Sequence, residues 1–278
     1  MALTQASKQK SNVLNLDKGN LKMNQLAKKK ETVLAVVDNS VFEQDAHDGM
    51  GNISSEDVAL PFLKLLSQLS PEIESVKGAK AGMIYNTVSG EVYDGVQGIK
   101  VIPCHYERKY IEWQPRGQGS GAPIAVHPAT SDIMTKTFRK PGESKDYLDN
   151  GNYIENSAQH YVMIVGDDGT CSTALLLLKS TQLKKSRKWN SMMMTLKMNG
   201  KNGPFTPPSY SHVYRLTSSK ESNDKGTWYG WEVERVGPVE DATVYHSAKT
   251  FALSVKQGEV NVKHDQEEGA KATSDTPF

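Results

Sequence analysis

Short apolar runs separated by turn residues dominate the sequence from Gly82 onward, a pattern typical of antiparallel strands. The pattern predicts three β-hairpins, which pair 83–88 with 91–93, 160–165 with 174–178, and 213–216 with 227–236. The longest predicted strand covers 99–113 and lies between the first hairpin and the second. We therefore expect hairpin pairing to organise most of the chain.

Helices are predicted at fewer places. Apolar residues recur at helical spacing within 181–198, and a second helix is expected from Asp241 onward, ending at Gly258. The segment 58–69 is densely apolar, and Pro61 leaves open whether it forms a core helix or a strand followed by a turn. Together these elements predict an α+β, mainly β fold: an OB-like barrel of antiparallel hairpins with an inserted basic helix and flanking helices.

The two ends of the chain differ in charge. Residues 1–31 contain seven Lys against one Asp and one Glu, which predicts a disordered basic arm that either touches phosphates or serves as a solubilising tail. Residues 259–278 contain five acidic residues against two Lys, which predicts a disordered acidic tail. The expected folded domain is therefore 32–258.

Composition excludes several classes of protein. The 278 residues carry a formal net charge of +1 and include two Cys, too few for a disulfide framework. No apolar run is long enough to span a membrane, so we expect a soluble, cytoplasmic protein. The sequence contains no GxxxxGK[ST] loop, no CxxC pair and no HExxH motif. We therefore expect neither enzyme activity nor a cofactor or metal site.

The longest predicted strand carries the first candidate binding surface. Side chains alternate between the two faces of a strand, so Tyr106, Arg108 and Tyr110 share one face. Two rings beside a guanidinium suit unpaired bases, because rings stack on bases and arginine stacks or binds phosphate. Lys109 and Trp113 fall on the other face and join this surface only if a bulge or twist turns them. An ordinary amphipathic strand with solvated Tyr and Arg explains the same pattern.

A second candidate surface is cationic. The predicted helix within 181–198 holds four closely spaced cations, Lys184, Lys185, Arg187 and Lys188, followed directly by Trp189. Such a cluster binds phosphates with strong salt dependence. The alternative is a solvated helix face with the tryptophan in the core. Three more residues are candidates for binding nucleic acid. Arg116 could contact phosphate, and Trp228 and Trp231 could stack on bases.

The acidic tail ends on Asp275-Thr276-Pro277-Phe278. This ending resembles the tail tip of bacterial single-stranded DNA-binding proteins. The body of the chain resembles phage-type single-stranded DNA-binding proteins more than it resembles the bacterial family. The resemblance implies an OB-like protein that coats exposed strands non-specifically during phage DNA replication and recombination, in the cytoplasm of the host. It also implies that Asp275, Pro277 and Phe278 recruit replication or recombination proteins.

Two other functions remain open from the sequence. A phage virion structural or internal protein would also be β-rich and free of catalytic motifs. A strand-annealing recombinase would bind DNA as well, and would in addition pair complementary strands. The oligomeric state does not follow from the sequence.

Overall fold

The computed structural model describes residues 38–260 except 47, 55, 56 and 225, together with 262 and 264. The predicted basic arm and nearly all of the predicted acidic tail lie outside the described residues. The chain divides into two compact units, 1–51 and 52–278. The described part of the first unit contains the short helix α1 (Asn39–Gln44), where the Asp38 carboxylate accepts a hydrogen bond from the Ser40 amide.

The second unit is built on a curled mixed sheet that forms a half-barrel. Its strands are β1 (Phe62–Leu65), β2 (Ile84–Asn86), β3 (Val92–Tyr93), β4 (Ile99–Trp113), β5 (Ala125–Pro128), β6 (Asp146–Tyr147), β7 (Tyr153–Val165), β8 (Cys171–Lys179), β11 (His212–Asn223) and β12 (Gly226–Pro238). A separate two-stranded hairpin consists of β9 (Met198–Gly200) and β10 (Gly203–Phe205). The helices of this unit are α2 (Glu72–Ser75), α3 (Leu183–Thr195) and α4 (Ala242–Gln257), with 3-10 turns at Ile133–Lys136, Ser180–Gln182 and Ser209–Ser211.

The strands follow the order β12-β11-β4-β7-β8-β1-β2-β3, with β5 added to β4 and β6 added to β7. Neighbouring strands are antiparallel except β1 and β8, which run parallel. The curl brings β11 close to the loop after β3, where the Ser218 amide donates to the Gly95 carbonyl at 2.7 Å. The Ser218 hydroxyl donates to the carbonyl of Gly82, which precedes β2. A Cβ at Gly95 would lie 1.8 Å from the Gly82 oxygen, so this approach requires glycine.

The concave side of the half-barrel holds the largest cluster of buried side chains, contributed by strands β1, β2, β4, β7, β8, β11 and β12. Helix α3 packs onto this side through Trp189, which is fully buried. The Trp189 ring stacks on His160 of β7 with centroids 4.5 Å apart and planes 13° apart, and it meets Tyr214 of β11 edge-on. His160 Nε2 lies 2.8 Å from the Ser186 hydroxyl of the same helix. Sheet and helix are thus joined by ring stacking and one buried hydrogen bond.

Helix α4 covers the convex side. The Asp241 carboxylate accepts hydrogen bonds from the first-turn amides of Thr243 and Val244, and the helix ends where Gly258 adopts a φ of 76°. Ala248 and Ala252 pack on Ile102, Cys104 and Met163 of the sheet. Among the described residues, every helix is too short or too polar to cross a bilayer.

The structure confirms an α+β, mainly β fold. The three predicted hairpins form, and the last two run several residues longer than predicted. The predicted inserted helix ends at Thr195, and the residues from Met198 form a strand instead. Within segment 58–69, Phe62–Leu65 forms the strand β1 and no helix is present, and the carbonyl of Pro61 accepts a hydrogen bond from the Leu175 amide of the parallel neighbour.

Stability should depend on the protonation of His160. Burial lowers the pKa of this imidazole to about 3, against about 6.5 in an unfolded chain, so below pH 6.5 the unfolded state binds a proton that the folded state does not. Stability is therefore lost as the pH falls from 6.5 toward 3, by about 2 kcal/mol at pH 5. Chemical unfolding at pH 7 and pH 5 measures this difference in stability.

His160→Phe keeps a ring on Trp189 and should flatten the pH dependence of stability, while His246→Gln on the exposed face of α4 should not. An unchanged slope in His160→Phe would show that another group is responsible.

Candidate nucleic-acid interface

The first candidate surface lies on β4, where this strand runs antiparallel to β7. A bulge between Pro103 and His105 shifts the register, and from Tyr106 to Trp113 the pairing is regular. Tyr106, Arg108 and Tyr110 therefore share one face of the sheet, at steps of about 7 Å along the strand.

That face is the one on which α3 packs. Tyr106 is partly buried, contacts the concave-side cluster that contains Trp189, and lies 4.9 Å from the His160 ring. Tyr110 is also partly buried and pairs across the ladder with His127 of β5. The two rings and the basic helix thus lie on the same side of the sheet.

Arg108 lies between the two tyrosines and has a hydrogen-bond donor without a partner. Its Nε is buried without a hydrogen-bond partner in the described part of the chain, and so is the Oδ1 of Asn156 on the neighbouring strand. Arg108 pairs with Ala158 and Tyr110 with Asn156, so these two polar groups lie diagonally across one ladder. Buried polar atoms normally have partners, and an unpaired donor beside an unpaired acceptor is consistent with a site that a ligand completes.

The four cations of α3 do not have the same environment. Lys184, Arg187 and Lys188 are exposed, and none of them forms an ion pair within the described ranges. Lys185 is partly buried and binds the carboxylates of Glu221 (3.1 Å) and Glu232. Three cations are therefore available to a polyanion, and the fourth ties the helix to the β11–β12 hairpin.

The pKa values in this ion-pair group follow from its geometry. Burial alone would lower the pKa of Lys185, but the hydrogen bonds to Glu232 and Glu221 raise it above its usual value. Burial alone would raise the pKa of Glu221, but the bonds from Lys185 and Trp228 lower it. Both pKa shifts favour the charged forms of Lys185 and Glu221, which fits a structural role for Lys185.

Three of the predicted aromatic residues, Trp113, Trp189 and Trp231, are inaccessible in this structure. Trp113 is 2% exposed and packs with Ile111 and Tyr153, and Trp189 is 0% exposed. The β4 bulge precedes Tyr106, so it does not bring Trp113 or Lys109 to the tyrosine face. Lys109 instead pairs with Glu107 at 3.1 Å on the other face. The large apolar area of tryptophan favours burial, but residue type alone could not show which of the tryptophans are buried.

The remaining predicted residues are more dispersed. Arg116 is exposed in the loop that follows β4. Trp231 is 4% exposed and belongs to the core. The tail residues Asp275, Pro277 and Phe278 lie outside the described residues. No group of three or more His, Cys, Asp or Glu within the described ranges is arranged to hold a metal ion.

Trp228 is the tryptophan that the fold leaves partly accessible. Its Nε1 donates to Glu221 at 3.0 Å, and its ring borders an open pocket of about 240 Å³ beside the start of α3. The pocket is lined by Thr181, Asn223, Gly226, Thr227 and Trp228. Because Glu221 also binds Lys185, this pocket adjoins the basic helix.

One sequence signal for this surface was missed. Between Asp168 and Glu221 the chain contains nine Lys and Arg and no Asp or Glu, which leaves a net charge of −8 on the remainder. The near-zero total conceals this segregation of charge. A count of acids along a moving window would have marked β8, α3, the β9–β10 hairpin and most of β11 as one cationic region.

Replacing Lys185 should affect stability more than replacing its exposed neighbour Lys188. Lys185→Met leaves two partly buried carboxylates without their shared cation, and we expect a loss of about 1–3 kcal/mol, between the values for exposed and buried pairs. Lys188→Met removes an exposed, unpaired charge and should change stability by less than about 0.5 kcal/mol. Urea unfolding of both variants measures the difference, and equal losses would show that the Lys185 ion pairs do not stabilise the fold.

Comparison with known proteins identifies a family. No curated protein and no solved structure matches the chain. A family model described as Pam3 phage gp34-like protein matches residues 28–261, a span that includes the whole half-barrel and all four helices. The match covers well over half of the sequence, so the chain is a phage protein that belongs to the Pam3 phage gp34-like family.

Proposed function

We propose that this phage protein binds single-stranded DNA without sequence preference and coats exposed strands during phage DNA replication and recombination. The observation that carries the proposal is Arg108, which lies between two tyrosines with its Nε unpaired, on the sheet face that also bears three unpaired cations of α3. The proposed activity is binding without catalysis.

The chemistry of this surface favours a single strand over a duplex. Lys184, Arg187 and Lys188 attract phosphates of either form through release of counterions. Rings at Tyr106 and Tyr110 gain from stacking only where base faces are exposed, and duplex DNA hides those faces. Rings and cations on one side of a sheet together match the stacking platform and electrostatic groove of single-strand binders.

The architecture supports an OB-like interpretation of the fold. A half-barrel of antiparallel strands with a helix packed against its concave side is compatible with an OB-like arrangement, in which a strand face and adjoining loops bind oligonucleotides. The parallel β1–β8 pair is an additional feature of this chain.

The acidic C-terminal segment is proposed to recruit partner proteins through Asp275, Pro277 and Phe278. The described residues just after α4 lie on the convex side of the sheet, where Val260 and Val262 pack near Tyr161. Tyr161 follows His160 directly in β7 and so faces away from α3. The last described residues therefore lie on the side opposite the proposed DNA surface, which suits a partner site that stays open while DNA is bound.

Removing residues 265–278 should leave DNA affinity unchanged or raise it, because the removed residues are acidic overall and repel the phosphates of DNA. Co-precipitation with phage and host replication proteins should be lost at the same time. Binding isotherms of both forms, with oligo-dT at one fixed salt concentration, measure the first effect. Loss of DNA binding on truncation would contradict this role for the tail.

Binding to a fluorescent dT oligomer should weaken steeply with salt and should exceed binding to the matching duplex. Lys184→Gln, Arg187→Gln and Lys188→Gln combined should make the slope of log K against log salt shallower by about 2, at about 0.7 per single-strand phosphate contact. The control is the double variant Lys249→Gln with Lys256→Gln on the exposed face of α4, which should leave the slope unchanged.

The alternatives give different results in this titration. A virion structural protein should show no salt-dependent binding and should copurify with particles. A strand-annealing recombinase should bind and should also greatly accelerate pairing of complementary strands. Equal slopes for the α3 and α4 variants would overturn the proposed DNA surface.

Intrinsic fluorescence should report binding through one tryptophan. The chain has four Trp, and Trp113, Trp189 and Trp231 are each at most 4% exposed, so oligo-dT can stack on Trp228 alone among them. We expect oligo-dT to quench wild-type emission and Trp228→Phe to abolish most of that quenching while it keeps an aromatic ring. Quenching that persists in Trp228→Phe would mean that DNA does not approach this pocket.

A further inference from the structure

The β9–β10 hairpin is not part of the large sheet. It forms its own two-stranded sheet, and all six of its residues are exposed. A two-stranded hairpin is only marginally stable in water by itself. The hairpin follows α3 after two residues, so it lies next to the C-terminal end of the basic helix.

The side chains of the hairpin combine positive charge with exposed apolar groups. Lys197 precedes β9, and Lys201 lies in the two-residue turn between the strands. Phe205 is 45% exposed and Met198, its cross-strand partner, is 38% exposed. Met194 at the end of α3 is 70% exposed. This surface lies inside the acid-free stretch, so its charge complements a polyanion.

The ring of Phe205 packs against the backbone of the neighbouring strand. A Cβ at Gly200 would lie 3.0 Å from Cδ1 of Phe205, so the ring rests against the Gly200 backbone while nearly half of the residue remains exposed. The Lys197 ammonium donates to the Thr206 hydroxyl at 2.6 Å and joins the two ends of the hairpin. A ring that is supported on one side and open on the other is suited to stacking on a base.

We propose that the β9–β10 hairpin is a second contact site for single-stranded DNA, where Phe205 stacks on a base and Lys197 and Lys201 hold the adjacent phosphates. The inference rests on the proposed function and extends its site. Helix α3 has 13 residues and is about 20 Å long, so a strand held at its first turn reaches the hairpin only if it is long enough to follow the helix.

The test uses the full chain and dT oligomers of about 4 and about 16 nucleotides, the limits of the range for one OB-type surface. Phe205→Leu keeps apolar bulk and removes the flat ring. It should weaken binding of the longer oligomer about 5- to 150-fold, the equivalent of about 1–3 kcal/mol for one stacked base, and leave the shorter one unaffected. Phe205→Trp should restore binding of the longer oligomer.

Phe138→Leu is the matched control, because Phe138 has the same exposure of 45% and lies in the loop between β5 and β6. If the wild type binds the longer oligomer and the Phe205→Leu and Phe138→Leu variants bind it with equal affinity, this inference is wrong and the proposed function still stands. Failure of the wild type to bind either oligomer would overturn the proposed function and this inference with it.

Sedimentation without DNA separates a protein partner from a nucleic acid. If Phe205→Leu changes the oligomeric state of the free protein, the hairpin is an interface between copies and the inference is wrong. If the state is unchanged while binding of the longer oligomer is lost, the DNA assignment holds. Lys201→Gln at the turn gives a second variant with little risk to folding, and it should make the salt slope shallower by about 0.7 with the longer oligomer only.

Discussion

The stack of Trp189 on His160 fixes the position of α3 on the concave side of the half-barrel. Two flat rings in parallel contact, with a buried hydrogen bond between the His160 imidazole and the Ser186 hydroxyl, hold the helix at one place and in one rotation. The buried face of the helix determines which of its side chains face solvent. Lys184, Arg187 and Lys188 are exposed because Ser186 and Trp189 are buried. The cationic surface is therefore a consequence of packing in the core.

The ion pairs of Lys185 complete this arrangement at the start of the helix. Glu221 and Glu232 come from both strands of the β11–β12 hairpin, so one ammonium joins two strands to α3. The same Glu221 orients Trp228 through its indole nitrogen. A single carboxylate thus links a structural cation to the accessible tryptophan at the edge of the pocket. Helix position and ring position are consequently coupled.

Periodicity and end signals predicted much of the fold. Strand β4 begins and ends where its apolar pattern does, and Asp241 and Gly258 bound α4 as their chemistry requires. The same signals could not predict which strands are neighbours, and the parallel β1–β8 pair depends on contacts between distant parts of the sequence. For the candidate surface, strand alternation placed Tyr106, Arg108 and Tyr110 together. Residue type alone could not separate Trp228 from the buried Trp113 and Trp189, because their burial depends on packing between distant parts of the sequence.

The parallel pair also constrains how the chain folds during its synthesis. Phe62 and Leu63 of β1 pair with Leu175 and Leu176 of β8, which the ribosome adds about 110 residues later. At about 5–20 residues per second, β1 waits roughly 5 to 25 s for its neighbour. Over that interval Leu63, which is buried in the finished protein, lacks the part of its core that Leu176 and Leu178 of β8 supply. The early part of the chain therefore exposes apolar side chains until β8 is made, the condition that generally makes incomplete chains prone to aggregation.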